Sequence, residues 1–351
     1  MPRLETKLLT PDQMADAVRL LQAGEVVAFP TETVYGLGAN ALDTDAIAKI
    51  FAAKGRPSDN PLIVHVYQRS QIHQIAGPWD SDAGKLMNAF WPGPLTLVLP
   101  KQEVVPVSVS GGLATVAVRI PSHPVALRLL EESALFLAAP SANVSGRPSP
   151  TRAEHVWNDL HGRIAAVLDG GLCGFGLESS VVDCTEKPFR LLRPGGVTLE
   201  ALQACVSGVI DGSSAAASDE APRSPGMKYQ HYAPTAAVTL VIHDPQLRLL
   251  RARVETAQSL GQRVGAMVVS ENVALVPAGA MVLDMGPRDD LSRIAQSLFH
   301  LLREADAYSL DAVFVEGLPE TALGRAIMNR LRKAAGGRIL NGHETQGADE
   351  R

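Results

Sequence analysis

The sequence predicts an α/β protein of two domains joined by a short linker, and three observations carry that reading. Strand-like and helix-like stretches alternate along most of the chain, the pattern of sheets covered by helices. One run of small and polar residues broken by Pro and Gly, residues 207–227, interrupts the alternation and reads as a linker. The 351 residues are 46% hydrophobic and 20% charged, enough for two ordinary cores. With aromatics at only 5%, those cores must rest on Ala, Val, Leu and Ile.

The elements follow in order. Thr10 can cap a helix, Pro11 suits its first position and Gln13 completes a capping box. Met14, Ala17, Val18 and Leu21 then form an apolar stripe at helical spacing, and Gly24 stops it. Residues 26–29 form a short buried strand that runs into Pro30-Thr-Glu-Thr-Val-Tyr-Gly36. A second helix is expected from a cap at Thr44 to Lys54-Gly55, burying Ile47, Ile50 and Phe51. Its end places Lys54 and Arg56 in a loop before a strand at residues 62–66, and residues 114–120 make another strand. Beyond the linker, residues 238–242, 264–269 and 312–315 read as buried strands. Residues 247–260, 291–305 and 324–335 read as helices, and the tail from Asn341 onward is expected to fray.

Composition excludes several function classes. A net charge of -5 and a pI near 6.0 argue against a protein held to nucleic acid by bulk electrostatics. Cys173, Cys184 and Cys205 form no CxxC pair, so neither a zinc site nor a disulfide framework is expected, and a reducing compartment is. No apolar run approaches about 18 residues and the start carries no signal-peptide pattern, so the expected location is cytoplasmic, with no membrane contact. The second α/β segment has no GxGxxG and no Walker lysine motif. A lid or partner role suits it better than a second active site.

Polar residues inside apolar strands are more informative. In residues 114–120, Val116, Val118 and Ile120 share one face while Thr115, Ala117 and Arg119 share the other. An arginine there needs an anionic partner, since an unpaired buried charge is severely costly. That partner is either a structural salt bridge or a ligand. His65 interrupts the apolar strand at residues 62–66 in the same way, as a hydrogen-bonded core residue or as part of a site. Lys54, Arg56, Arg119 and Arg193 all fall near strand ends or loops, interleaved with Pro140-Ser-Ala-Asn143, Gly146-Arg-Pro-Ser-Pro150 and Leu177-Glu-Ser-Ser180. Guanidinium forks, an ammonium and small-residue loops with free N–H groups make a cradle for polyanions.

Seven segments in order then resemble the YrdC-like domain of the threonylcarbamoyl-AMP synthase family. They are Phe29-Pro-Thr-Glu-Thr-Val-Tyr-Gly-Leu-Gly38, Lys54-Gly-Arg-Pro57 with Asn60-Pro61, Phe90-Trp-Pro-Gly-Pro-Leu-Thr96, Val118-Arg-Ile-Pro121, Ala139-Pro-Ser-Ala-Asn-Val-Ser-Gly146, Glu178-Ser-Ser180 and Leu192-Arg-Pro-Gly195. The segment Ser224-Pro-Gly-Met-Lys-Tyr-Gln-His-Tyr-Ala-Pro234 is similar to the linker end of the family's long form. The resemblance implies a YrdC-like twisted-sheet catalytic domain at 1–206, a linker and gating segment at 207–234, and a smaller Rossmann-like α/β domain at 235–345.

The implied activity is that of a nucleotidyltransferase joining L-threonine, bicarbonate and ATP into threonylcarbamoyl-AMP and pyrophosphate. A separate transferase machinery would then modify tRNA, with direct contact to tRNA left open. By the same resemblance Lys54 and Arg56 act on the phosphates, and Asn60, Thr115, Ser141, Asn143, Ser149, Arg193 and Tyr232 complete the ATP site. Thr33, His65, Arg119 and Ser179 would bind L-threonine, and Tyr229, His231 and Tyr232 would gate the pocket. Mg2+ would arrive with ATP, no dedicated metal cage being expected. Two rivals stand beside this reading: a non-catalytic YrdC-like RNA-binding module, and a related enzyme of carbamoyl transfer.

Overall fold

The computed structural model describes residues 4–213 and 231–344. Those residues divide into two compact units, one spanning the chain to about residue 213 and the other the remainder together with Gly146–Pro148.

The first unit carries strands β1 (Lys7–Leu9), β2 (Val27–Phe29), β3 (Gly36–Asn40), β4 (Ile63–His65), β5 (Leu95–Pro100) and β6 (Thr115–Arg119). It continues with β7 (Leu137–Ala138), β8 (Ala166–Leu168), β9 (Ser180–Asp183), β10 (Arg190–Arg193) and β11 (Ile210–Asp211). Its helices are α1 (Met14–Gln22), α2 (Thr44–Lys54), α3 (Ser81–Phe90), α4 (Val107–Ser110), α5 (Pro124–Ser133), α6 (Ala153–Leu160) and α7 (Leu199–Cys205). The strands form one mixed sheet in the order β1-β8-β2-β3-β7-β4-β6-β5-β9-β10-β11.

Local sequence explains where the helices begin and end. The Thr10–Gln13 capping box is present and opens a single 3-10 turn before α1. For α2 the cap is Asp43 and not Thr44: its carboxylate accepts the N–H groups of Asp45 and Ala46 at 2.9 and 3.1 Å. A charged acceptor at a helix N-terminus outcompetes the neighbouring hydroxyl. Gly55 closes α2 in the left-handed conformation, φ 62°, which costs glycine nothing. Lys54, expected in a loop, is the last residue of the helix and is buried.

One face of the sheet is covered along much of its width by α2, α3, α6 and α7, whose Ile47, Ile50, Leu86, Val156 and Leu202 meet Val64, Leu97, Val116, Val118 and Val182. On the opposite face α1 and α5 cover the end of the sheet from β1 to β7, through Met14, Leu21, Leu129 and Leu130 on Val27, Phe29, Leu137 and Leu168. Further along that same face, across β4, β6, β5, β9 and β10, a separate small apolar cluster contains no helical residue: Ile63, Val98, Ala117, Val181 and Leu192.

The second unit is a five-stranded, wholly parallel sheet, as the α/β expectation requires. Its strands are β12 (Ala237–Ile242), β13 (Val264–Val268), β14 (Met281–Asp284), β15 (Ala312–Glu316) and β16 (Ile339–Asn341), in the order β14-β13-β15-β12-β16. Helices α8 (Arg248–Ser259), α9 (Leu291–Ala307) and α10 (Leu323–Ala335) cover it. Leu250 and Val254 of α8 pack on Ala266 and Phe314, while α10 lies against β12 and α9. Asn341, expected to begin a frayed tail, instead ends β16 opposite Ile242, its backbone held by the ladder. Likewise Ile210–Asp211, inside the small polar run, pairs in parallel with β10. Among the described residues no helix is long and apolar enough to cross a membrane.

Candidate active site

Strand direction gathers the polar residues at one end of the half-covered face. β4 and β6 run parallel with His65 opposite Arg119, so both strands end together on that side. β5 is antiparallel to β6 and parallel to β9, so both begin there, with Thr96 and Ser179 at their starts. β10 is antiparallel to β9 and ends there at Arg193. Side-chain alternation puts His65, Thr96 and Arg119 on the same face as Ile63, Val98 and Ala117, two residues away in each strand. The result is an apolar floor with a polar, cationic rim.

Arg119 is 3% exposed, and its fork is shared out. Nε donates to Gly93 O at 3.1 Å, Nη1 donates to Thr33 Oγ1 at 2.8 Å, and Nη2 lies 2.5 Å from Glu32 Oε1. The Glu32 and Thr33 side chains come from the loop joining β2 to β3. Thr31 stiffens that loop, its hydroxyl donating to Val34 O at 2.6 Å and contacting Thr33 Oγ1 at 2.8 Å. Burial pushes the Glu32 carboxyl up, but the charge and hydrogen bonding of Arg119 outweigh it and hold it below the usual carboxylate range. Burial first, and then the Arg119 guanidinium, drives His65 down to about 3. Its ring is therefore neutral at physiological pH, with Nδ1 3.2 Å from Ile63 O. The neighbouring thiol of Cys173 is pushed up by burial and is no nucleophile.

Arg193 anchors the second part of the rim. Its Nε donates to Ser179 O at 3.1 Å and its Nη2 to Ser179 Oγ at 3.2 Å, while Ser179 Oγ shares a 2.8 Å hydrogen bond with Thr96. Ser149 Oγ donates to Glu178 Oε1 at 2.5 Å. Gly195 makes this approach possible, since a Cβ there would lie 2.4 Å from Glu178 O and from Ser180 N.

The third part is the Lys54 ammonium, which donates to Ser141 O at 2.5 Å and Asn143 O at 2.7 Å. It thereby ties the end of α2 to the Pro140–Asn143 loop. Arg56 reaches back to Pro61 O at 3.1 Å and Asn60 O at 3.4 Å, shaping the loop after α2. Thr115 sits half-buried at the opposite end of β6 from Arg119, about 13 Å away at the usual strand rise. These contacts join Thr33 to Arg119, Ser179 to Arg193, and Lys54 to Ser141 and Asn143. They place Thr115 apart, across the length of the floor.

Of the gating candidates, His231 and Tyr232 belong to the second unit. Tyr229 lies outside the described residues. Tyr232 is buried in the second unit at φ 67°, its ring 5.2 Å from Phe299 and 5.6 Å from the Arg330 guanidinium, with the His231 ring 5.6 Å from it. Among the described residues no group of three or more His, Cys, Asp or Glu is arranged to hold a metal ion.

Sequence reasoning missed Glu32, Thr96 and Glu178 as members of the site. All three sit inside the segments that carried the family resemblance. Position within those segments was the available signal; a search for anion-binding groups passes over carboxylates.

Comparison with known proteins places the chain among relatives. A family model described as telomere recombination matches residues 19–195, and one described as threonylcarbamoyl-AMP synthase, C-terminal domain, matches residues 197–336. The threonylcarbamoyl-AMP synthase of Bacillus subtilis (strain 168) is 49% identical over 329 residues, 93% of this chain and 94% of that one. That of Pyrococcus abyssi (strain GE5 / Orsay) is 46% identical over 92% of this chain and 94% of its own. The crystal structure of P. abyssi Sua5 complexed with L-threonine superposes with a TM-score of 0.91 at 44% identity, covering 96% of this chain and 100% of that one.

Proposed function

The chain belongs to the threonylcarbamoyl-AMP synthase family, and on that premise we propose how its first unit makes the product. It is an enzyme of the nucleotidyltransferase type. The substrates are L-threonine, bicarbonate and ATP, the products threonylcarbamoyl-AMP and pyrophosphate, and the adenylate supplies the threonylcarbamoyl group for tRNA modification.

The observation that carries this reading is the convergence of buried Arg119 and Arg193 with Thr33, His65, Thr96 and Ser179 on one rim of a buried apolar floor that includes no helical residue. Two buried guanidinium groups beside hydroxyls suit an anionic ligand of amino-acid size. The relative solved with L-threonine supports threonine as that ligand. Arg119 takes its carboxylate, while Thr33, Ser179 and the neutral His65 ring provide its remaining contacts. The nucleotide is assigned to the floor running toward Thr115, about 13 Å from Arg119 along β6. Lys54, Arg56, Asn60, Ser141, Asn143, Ser149 and Arg193 serve the triphosphate and ribose, with Mg2+ carried on the phosphates as part of the substrate.

The chemistry needs no covalent enzyme intermediate. Threonine's neutral amine attacks the carbon of bicarbonate, a C–O bond breaks and water leaves; an oxygen of the resulting carbamate attacks the α-phosphorus of ATP, and the bond to pyrophosphate breaks. Positioning and electrostatic stabilisation of charge on the leaving group are then the protein's contributions. A pyrophosphate-release assay tests the reading. Release is expected to require threonine and bicarbonate together, with carbamoyl phosphate unable to replace them. Release driven by carbamoyl phosphate alone would favour a carbamoyl-transfer enzyme instead.

A further inference from the structure

Glu32 has no role in the reaction outlined above, yet it is a buried charged group of the site paired directly with Arg119. Its side chain is 16% exposed and touches Arg119 Nη2 at 2.5 Å. Neither Glu32 oxygen makes a well-aligned hydrogen bond, and neither does Arg119 Nη2, although all three atoms are buried. A buried carboxylate whose contacts, with Arg119 and with the backbone of Glu32 and Ser122, are poorly aligned leaves free energy that a ligand can recover. Arg119's other donors are already committed to Gly93 O and Thr33 Oγ1. What remains open is therefore a cation and an anion side by side, each with spare hydrogen-bonding capacity.

That is the electrostatic complement of a zwitterion. An amino acid presents a carboxylate and an ammonium on adjacent carbons, about as far apart as the two ends of this pair. We propose that Glu32 binds the α-ammonium of the amino-acid substrate while Arg119 takes its carboxylate, making the pair the element that selects α-amino acids over other hydroxy acids. This rests on the threonine reading and adds a residue and a selectivity to it. With Arg119 holding the Glu32 carboxyl low, the carboxylate is ionised at neutral pH and ready to accept the ammonium's hydrogens.

The test compares two ligands by calorimetry, L-threonine and the 3-hydroxybutyrate of matching configuration, which is threonine without its amine. The wild-type protein is expected to bind threonine about tenfold or more tightly than the deaminated analogue. In Glu32→Gln threonine should weaken by a similar factor while the analogue holds its affinity or gains, since its carboxylate no longer approaches a like charge. Equal weakening of both ligands would mean that Glu32 only props Arg119, and would overturn the proposal. If Glu32→Gln does not fold by circular dichroism, the wild-type arm and Glu32→Asp decide. Equal wild-type affinity for the two ligands, or loss of the threonine preference in neither variant, overturns it. A wild-type protein that binds neither ligand rejects the threonine reading itself, a result distinguishable from the others.

Discussion

His65 and Arg119 stand opposite one another on the parallel strands β4 and β6, and the ring is held neutral beside the cation. Burial and the guanidinium together place the folded-state pKa near 3, against an ordinary value of 6.5. Between those values an unfolded chain takes up a proton that the folded ring refuses. Stability therefore falls as pH drops from about 6.5 toward 3, by up to about 1.4 kcal/mol per pH unit from this residue. Thermal melts from pH 7 to 4 should fall more steeply for the wild type than for His65→Asn. Parallel slopes would mean that the ring is protonated in the folded protein.

Arg119→Ala should cost about 2–5 kcal/mol of threonine binding, enough to abolish useful affinity, while the melting transition stays cooperative. The fold survives because the surrounding core on the opposite face of β6 is apolar and untouched, Val116 and Val118 included. Calorimetric titration with threonine checks it, and near-wild-type affinity in a folded variant would remove Arg119 from the site.

Lys54→Met keeps most of the side-chain volume and removes the ammonium that ties α2 to the Ser141 and Asn143 carbonyls. Losing donors to two carbonyls should destabilise the unit by about 1–3 kcal/mol. ATP affinity is expected to fall at least roughly tenfold, with threonine affinity unchanged. A variant that loses threonine and ATP binding alike would show the two subsites to be one.

Gly195→Ala is expected to be costly despite the small change. The new methyl would meet backbone at 2.4 Å on two sides, and overpacking of this kind costs about 1–3 kcal/mol. Relief requires moving Glu178–Ser180 away from Arg193, so the KM for threonine should rise more than the KM for ATP. An unchanged melting temperature would show that the loop yields freely.

Much of this architecture could be read before any coordinates, and the reasons differ by element. The strands at residues 26–29, 62–66 and 114–120 came out within one residue because each is a short, mainly apolar and β-branched run. The cap of α2 slipped from Asp43 to Thr44 because two good caps stand side by side, and the charged Asp43 carboxylate takes the N–H groups of Asp45 and Ala46. β7, β10 and β11 are two to four residues long, too short to show a period, and they exist because distant strands supply their ladders. In the site, Arg119 and His65 stood out as polar residues in apolar strands. Glu32 did not, because its meaning lies in a partner 87 positions away. The same holds for Lys54, whose burial depends on carbonyls from the Pro140–Asn143 loop.

The most direct measurement combines the purified protein with ATP, L-threonine and isotopically labelled bicarbonate, and follows the adenylate product by mass spectrometry. A threonylcarbamoyl-AMP ion that carries the heavy carbon, formed in step with pyrophosphate and absent without threonine, is the expected result. Pyrophosphate released without threonine, or an adenylate lacking the label, would contradict the assignment of this pocket to joining threonine, bicarbonate and ATP.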